Sequence, residues 1–259
     1  MQNHRPTELV KTMKLLPVLL ITSFTMLAGP SVGVGSVQEE MRWRGWAPTG
    51  QIVEVNNVHG NVRAEVSTGD EIEIVALKRG EGDPDGVNIE VVEHKGGVTI
   101  CAVYPNAISD RPFDCRPSHG GGFREVTASE SEAHIRWENG GGGDIVLNDL
   151  RVDFVVRLPK RLRFIGRTVD GEISTHLLEQ DVEAHSVSGD VRVDVAATVG
   201  GEVRAETGSG RVKSAFPLVL RGTDGKGVSA FGQIGRSHRV VRLKTRSGNI
   251  HVDRVTHLL

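Results

Sequence analysis

The sequence predicts an all-β protein, a single-chain β-solenoid (β-helix) of roughly 20-residue repeats carrying one inserted Gly-rich loop. The first observation is a phrase that recurs with variation: a short β-run, then Ser or Thr with Gly, then another β-run. It reads "VEAHSVSGDVRV", "VRAETGSGRVKS" and "VRLKTRSGNIHV", which places Gly189, Gly210 and Gly248 at one structural position. A weaker copy, "VRAEVSTGDEIEI", adds Gly69 far upstream. Gly189 and Gly210 are 21 residues apart, and Gly210 and Gly248 are 38 apart, close to two periods. The second observation is composition. Only 38% of the chain is hydrophobic and 4% aromatic, so valine and glycine do what leucine and aromatic rings do elsewhere. Valine suits a pleated, half-buried surface and glycine the turns, and a narrow stack needs small or branched inward side chains. The third is strict alternation of apolar and charged residues, with no convincing helical period.

The elements follow in order. Residues 1–36 read as a signal peptide and flexible leader. Lys11 and Lys14 precede the apolar "LLPVLLITSFTMLAG", which is about the length of a signal-peptide core and short for a membrane span. The alternative is an uncleaved anchor. Residues 37–50 form a polar–aromatic lead-in whose Trp43 and Trp46 are placed to cover an open edge. The β-domain spans 51–259. Val53 and Val55, then Val62, Ala64 and Val66, then Ile72, Ile74 and Ala76 alternate with polar residues, separated by the turn signals "HGN" and "STGD". Two further runs in "VNIEVVEHKGGVTICAVYP" are joined by "KGG".

Residues 105–143 break the rhythm and read as an insertion looping off one face, Gly-rich and weakly alternating apart from "HIRW". In an exported chain, Cys101 and Cys115 pair as a disulfide at its base, closing a loop for roughly 3 kcal/mol. Two buried thiols are the alternative. Alternation turns Cys101 outward if Val98, Ile100 and Ala102 face in. Strands resume with "DIVL" and "RVDFVVRLP", and the clearest repeats follow; only "ISTHLLEQ" admits a turn of helix.

These repeats, with the run "VNNVHGNVRAEVSTGDEIEIVALKRG" and the strand "GGVTICAVYP", resemble a bacterial family of exported proteins described as putative adhesins, over roughly Gly50 to Val255. The resemblance implies a β-solenoid domain of unknown function, a location at the cell envelope, and a non-enzymatic role in surface interaction. It carries no catalytic residues to transfer.

The residues themselves point the same way. Asp170, Asp190, Asp194 and Asp253 fall at repeat positions, and Asp170 and Asp190 would align on adjacent rungs one period apart. Turn chemistry selects "GD" and "DG" by itself, so no catalytic residue is assigned. His176, His185, His238 and His251 lack ligand spacing and read as solvated surface histidines, so neither a metal nor a cofactor is expected. A net charge of −2 with interspersed signs gives no field to recruit nucleic acid. Arg192, Arg204, Arg211, Lys213, Arg242, Lys244 and Arg246 recur on outward positions and form a candidate basic stripe for an acidic polymer.

The expected function is therefore an exported, non-catalytic, adhesin-like envelope protein, periplasmic, surface-bound or secreted, with no transmembrane domain once the leader is removed. Its partner is an envelope protein or polysaccharide. The alternatives are a polysaccharide lyase or hydrolase on the same scaffold, and an envelope-stress accessory that binds another protein.

Overall fold

Alternating Val, Ile and Ala residues pleat this chain into strands, and the pairing of those strands follows from what its glycines permit. A computed structural model describes residues 36–81, 83–105, 115–117, 123–128, 132–137, 142–146, 148–196, 198–222 and 227–255. All but the last position of the expected leader therefore lies outside the described residues. Among the described residues no helix is long and apolar enough to cross a membrane.

The first half of the chain supplies β1 (Ser36–Gly45), β2 (Ile52–Asn56), β3 (Val62–Val66), β4 (Ile72–Glu81), β5 (Asn88–His94) and β6 (Gly97–Val103). Three strands follow across the insertion and its exit: β7 (Phe123–Ala128), β8 (Glu132–Trp137) and β9 (Gly142–Val146). The next five are β10 (Arg151–Leu158), β11 (Arg163–Asp170), β12 (Ile173–His176), β13 (Val182–Ser188) and β14 (Val191–Ala196). The chain ends with β15 (Gly201–Ser209), β16 (Val212–Ser214), β17 (Val219–Gly222), β18 (Val228–Ile234), β19 (Val240–Ser247) and β20 (Ile250–Val255). The stretch "ISTH" is thus strand, not helix.

The protein is all-β, with two mixed, unclosed sheets and a third small one. The eight-stranded sheet runs β1-β4-β10-β3-β12-β14-β20-β16, the nine-stranded sheet β17-β18-β15-β19-β13-β11-β2-β6-β5, and β7-β8-β9 form a three-stranded sheet. The expected lead-in is largely β1, which pairs antiparallel with β4, Trp43 opposite Ile74. The inserted segment is not an open loop throughout, since β7, β8 and β9 pair antiparallel. Its glycines mask an alternation that the backbone nevertheless satisfies by pairing.

Five times the chain lays one strand in the nine-stranded sheet, turns a corner, and lays the next in the eight-stranded sheet: β2/β3, β11/β12, β13/β14, β15/β16 and β19/β20. Corresponding strands pair parallel and in matched register. Val53, Phe164, Val182, Val241 and Val203 form one inward ladder, and Val62, Ile173, Val191, Ile250 and Val212 another. These ladders meet in a single apolar core shared by both sheets, which is what burying a valine face demands of strands too short to stand alone.

The corners explain the recurring phrase. Gly60, Gly171, Gly189, Gly248 and Gly210 stack in a column, and a Cβ on each of the last four would overlap the carbonyl of the glycine before it. A hydroxyl three residues ahead of each corner then donates into that same carbonyl. Thr168 Oγ1 bonds Gly60 O at 2.9 Å, Ser186 Oγ bonds Gly171 O at 3.0 Å, Thr245 Oγ1 bonds Gly189 O at 2.9 Å, and Thr207 Oγ1 bonds Gly248 O at 2.8 Å. Asx side chains after the glycine add a second ladder: Asn249 N donates to Asp190 Oδ1 (2.7 Å) and Arg211 N to Asn249 Oδ1 (3.1 Å).

Two sequence expectations change here. Gly69 is not in the column: it follows β3, in the turn leaving the unit, and a Cβ there would meet only Ser67 Oγ at 3.8 Å. Gly60, of "HGN", holds the corner instead. The units also do not stack in chain order. β19 pairs with β13 on one side and β15 on the other, so Gly248 lies between Gly189 and Gly210 rather than two rungs beyond. The chain runs past the end of the stack, adds the antiparallel strands β18 and β17 outside β15, and returns.

Candidate functional site

Every strand of the nine-stranded sheet that faces the core with valine presents a polar residue on its other side, because side chains alternate. Matched register converts those residues into rows. One row reads Asn56, Arg167, His185, Lys244, Glu206 and Ser229 across β2, β11, β13, β19, β15 and β18. Its neighbour reads Glu54, Ile165, Glu183, Arg242, Arg204 and Phe231.

Burial along these rows is graded. At the β2–β11 end Arg167 is fully buried, 0% exposed, with Glu54 and Asn56 nearly so. Arg167 Nη1 donates to Glu54 Oε1 and, at 3.1 Å, to Asn56 Oδ1, while Asn56 Nδ2 donates to Glu54 Oε1 at 3.1 Å. A charge this deep is tolerable only when so paired. The inserted sheet is tied to this end: β7 packs against β13, and Cys101, in register with Asn56, is disulfide-bonded to Cys115.

At the other end the face opens. A pocket of about 330 Å³ lies over β13, β19, β15 and β18, lined by His185, Arg204, Glu206, Ser229, Phe231, Arg242 and Lys244 together with Ala205, Ala230 and Leu243. Arg242 Nη1 donates to Glu183 Oε1 at 2.5 Å and Arg204 pairs with Glu202, whereas Lys244 Nζ stands 3.9 Å from Glu206. Phe231 is 41% exposed, with the Arg221 guanidinium 4.9 Å from its ring centroid.

His185 sits where buried and open ends meet. It is 6% exposed, contrary to the solvated histidine expected from its charged neighbours, because the pleat places it beside Arg167 under the covered end. Neither ring nitrogen has a hydrogen-bond partner. The nearest carboxylate, Glu183 Oε2, is 3.7 Å from Nε2, beyond hydrogen-bond range, so its pull is electrostatic. Burial holds the imidazole pKa below its ordinary value; Glu183 opposes that shift, and Arg167 and Lys244 reinforce it.

The basic residues expected to form one stripe divide between two sheets. Arg192 and Lys213 lie on β14 and β16 of the eight-stranded sheet and Arg211 at the corner between β15 and β16, while Arg204, Arg242, Lys244 and Arg246 lie on the nine-stranded sheet. The stripe fails because successive runs of one repeat belong to opposite sheets. Arg192 Nε pairs with Glu172 Oε1 at 3.2 Å. The eight-stranded face is further cross-linked through Glu73, whose carboxyl is held below the usual range by hydrogen bonds from Arg44 and Arg157.

The aspartates at repeat positions are held in different contacts. Asp170 registers with Ser188, not Asp190, and Asp190 accepts from the Asn249 backbone. Asp194 lies opposite Asp253 and 2.7 Å from His176 Nδ1. Among the described residues no group of three or more His, Cys, Asp or Glu is arranged to hold a metal ion. Sequence reasoning passed over the Ser/Thr-x-x-Gly hydroxyls and the pocket beside Phe231. The hydroxyl spacing is present in the three phrases around Gly189, Gly210 and Gly248, and absent at Gly69, where Val66 stands three residues ahead; the pocket needed the β18 pairing, which no repeat announces.

No family model matches this sequence, and no curated protein matches it. Among solved structures it is similar to a putative cell adhesion protein from Clostridium sporogenes, at 11% identity and a TM-score of 0.49, covering 85% of this chain and 100% of that one. It is also similar to a putative adhesin from Parabacteroides merdae, at 8% identity and a TM-score of 0.24, covering 61% and 57% respectively. A putative adhesin from Bacteroides fragilis matches at 10% identity and a TM-score of 0.23, covering 84% and 97%. These neighbours are all bacterial proteins named for adhesion, and at such values no function passes from them to this chain.

Proposed function

We propose that this is an exported, non-catalytic, adhesin-like protein of the cell envelope, a β-solenoid in architecture, that binds an envelope polymer or protein through the outward face of its nine-stranded sheet. The observation that carries the reading is the matched parallel register of the five strand–corner–strand units. Register sets ionisable side chains in rows across successive strands, a surface suited to an extended partner. The corner carboxylate and amide of Asp190 and Asn249 are engaged with backbone amides, a structural use of residues that would otherwise be candidates for acid–base chemistry. Export is supported by the apolar leader and by the Cys101–Cys115 disulfide, a bond that persists in oxidising compartments.

The test is retention of the intact protein on immobilised acidic polysaccharide at low and high salt, with product analysis of the same polymers with and without calcium. Salt-sensitive retention without chain cleavage is the expected result. Release of shortened or unsaturated products would replace this reading with that of a polysaccharide lyase or hydrolase.

A further inference from the structure

The pocket over β13, β19, β15 and β18 contains a group that surface charge alone leaves unexplained: His185, buried to 6% exposure, lining the cavity with both ring nitrogens unpartnered. Buried polar atoms are rarely left in that state without a ligand or water to meet them. The geometry points to this pocket as a site for one carboxylate-bearing sugar unit of an acidic polysaccharide, with Lys244 and Arg242 receiving the carboxylate, His185 and Glu206 the ring hydroxyls, and Phe231 the apolar sugar face. It rests on the preceding assignment of the nine-stranded face as the binding surface, and names what that face would grip.

Each contact follows from the chemistry present. Lys244 is loosely engaged, 3.9 Å from Glu206, so an entering carboxylate gains a cation without breaking a short ion pair. Arg242, held at 2.5 Å by Glu183, is fixed at the pocket wall with the rest of its donor fork available to a second acceptor. Phe231 offers a half-open ring beside these cations, the pairing of apolar wall and few polar groups that small-ligand sites use. Glu206 and Ser229 line the same cavity and accept hydrogen bonds that the several hydroxyls of a sugar unit can donate, where an inorganic phosphate dianion has a single hydroxyl to offer. Burial keeps the imidazole neutral near pH 7, so it offers one donor and one acceptor nitrogen, the complement of adjacent hydroxyls. The cavity, about 330 Å³, lies near the lower bound of ligand pockets, roughly 300 Å³, and so suits a short unit rather than a long platform.

The experiment is calorimetric titration of the intact protein with a galacturonate trisaccharide, a neutral galactose trisaccharide and inorganic phosphate. Saturable binding of the acidic trisaccharide is expected, with the neutral one and phosphate weaker by about tenfold or more. Phe231→Ala and Lys244→Ala, both at exposed positions, should each weaken it about tenfold or more, His185→Gln likewise, and Arg192→Ala should leave it unchanged. Melting temperatures identify any variant that fails to fold, and the two exposed variants then decide. Equal binding of neutral and acidic sugars, equal binding of phosphate, or indifference to Phe231→Ala would overturn the site. If the whole polymer is still retained in a salt-sensitive way while no trisaccharide saturates, the pocket is refuted and the broader surface reading stands. Loss of both refutes both.

Discussion

Gly248 stacks directly on Gly189, its missing side chain making room for the Gly189 carbonyl, although the adjoining hydrogen-bonded pair Asn249 and Asp190 are 59 residues apart in sequence. That contact fixes the last strand pair between two earlier ones. Replacing Gly248 with Ala places a methyl on a backbone oxygen that cannot move without displacing a rung, at a residue whose φ of 157° also favours glycine. A loss of about 2–4 kcal/mol is expected. Gly69→Ala is the control, since its Cβ has space, and should change stability by no more than about 0.5 kcal/mol. Urea unfolding of both variants checks the pair; equal effects would mean that the column does not bear on stability.

This contrast also shows how far the sequence could be read. Strand positions, the inward valines and the outward charges follow from period-two alternation, and Gly189, Gly210 and Gly248 identify themselves by their shared phrase. What the phrase cannot carry is order. Val182, Val203 and Val241 are equivalent on the core side, so parallel pairing is equally satisfied whichever unit lies next to which. Only the β17–β18 excursion, built from unremarkable residues, decides that β19 returns to the interior of the stack. The pocket depends on that decision, because it brings Lys244 of β19 beside Glu206 of β15 and Phe231 of β18. Gly69 misled for a related reason: "STGD" looks like the corner phrase, but it leaves the unit that "HGN" has already turned.

The hydroxyl ladder predicts a second substitution. Thr245 is buried and its Oγ1 donates to Gly189 O at 2.9 Å. Thr245→Val keeps the branched shape and the β preference while removing the donor, which leaves a buried carbonyl with one partner fewer. A loss of about 1–3 kcal/mol is expected, with the fold retained. A variant as stable as the parent by thermal and urea unfolding would refute the role assigned to this hydroxyl.

One buried imidazole, His185, and one half-buried imidazole, His59, set the response to acid. Burial lowers the pKa of His185, facing Glu183, Arg167 and Lys244, and burial and Arg151 lower that of His59, facing Asp170, Asp149 and Asp153. Both groups bind protons more readily in the unfolded chain, where the pKa is about 6.5. Stability is therefore fully present above about pH 6.5 and falls as pH drops below it, until each folded-state pKa is passed. The Glu73 carboxyl, lowered by Arg44 and Arg157, adds a separate loss at more acid pH, below its ordinary 4.5. Unfolding midpoints between about pH 7.5 and about pH 5.5 should decline in the parent and decline less in His185→Gln. A midpoint that rises on acidification would show the sign to be wrong.

The buried pair Arg167 and Glu54 makes a prediction that depends on which partner is removed first. Both lie under the covered end of the nine-stranded face, joined to each other and to Asn56. Arg167→Met removes the guanidinium that Glu54 and Asn56 share at a buried position, and a loss of about 3–5 kcal/mol is expected. Adding Glu54→Gln removes the buried carboxylate charge that faced the guanidinium, and methionine fills much of the volume that the guanidinium stem occupied. The double variant should then be more stable than Arg167→Met alone, the reverse of additive damage. Equilibrium unfolding of the parent, both single variants and the double variant measures the coupling directly. Strict additivity would mean that the two residues stabilise the face independently, and that the row is held by strand pairing rather than by the charges it carries.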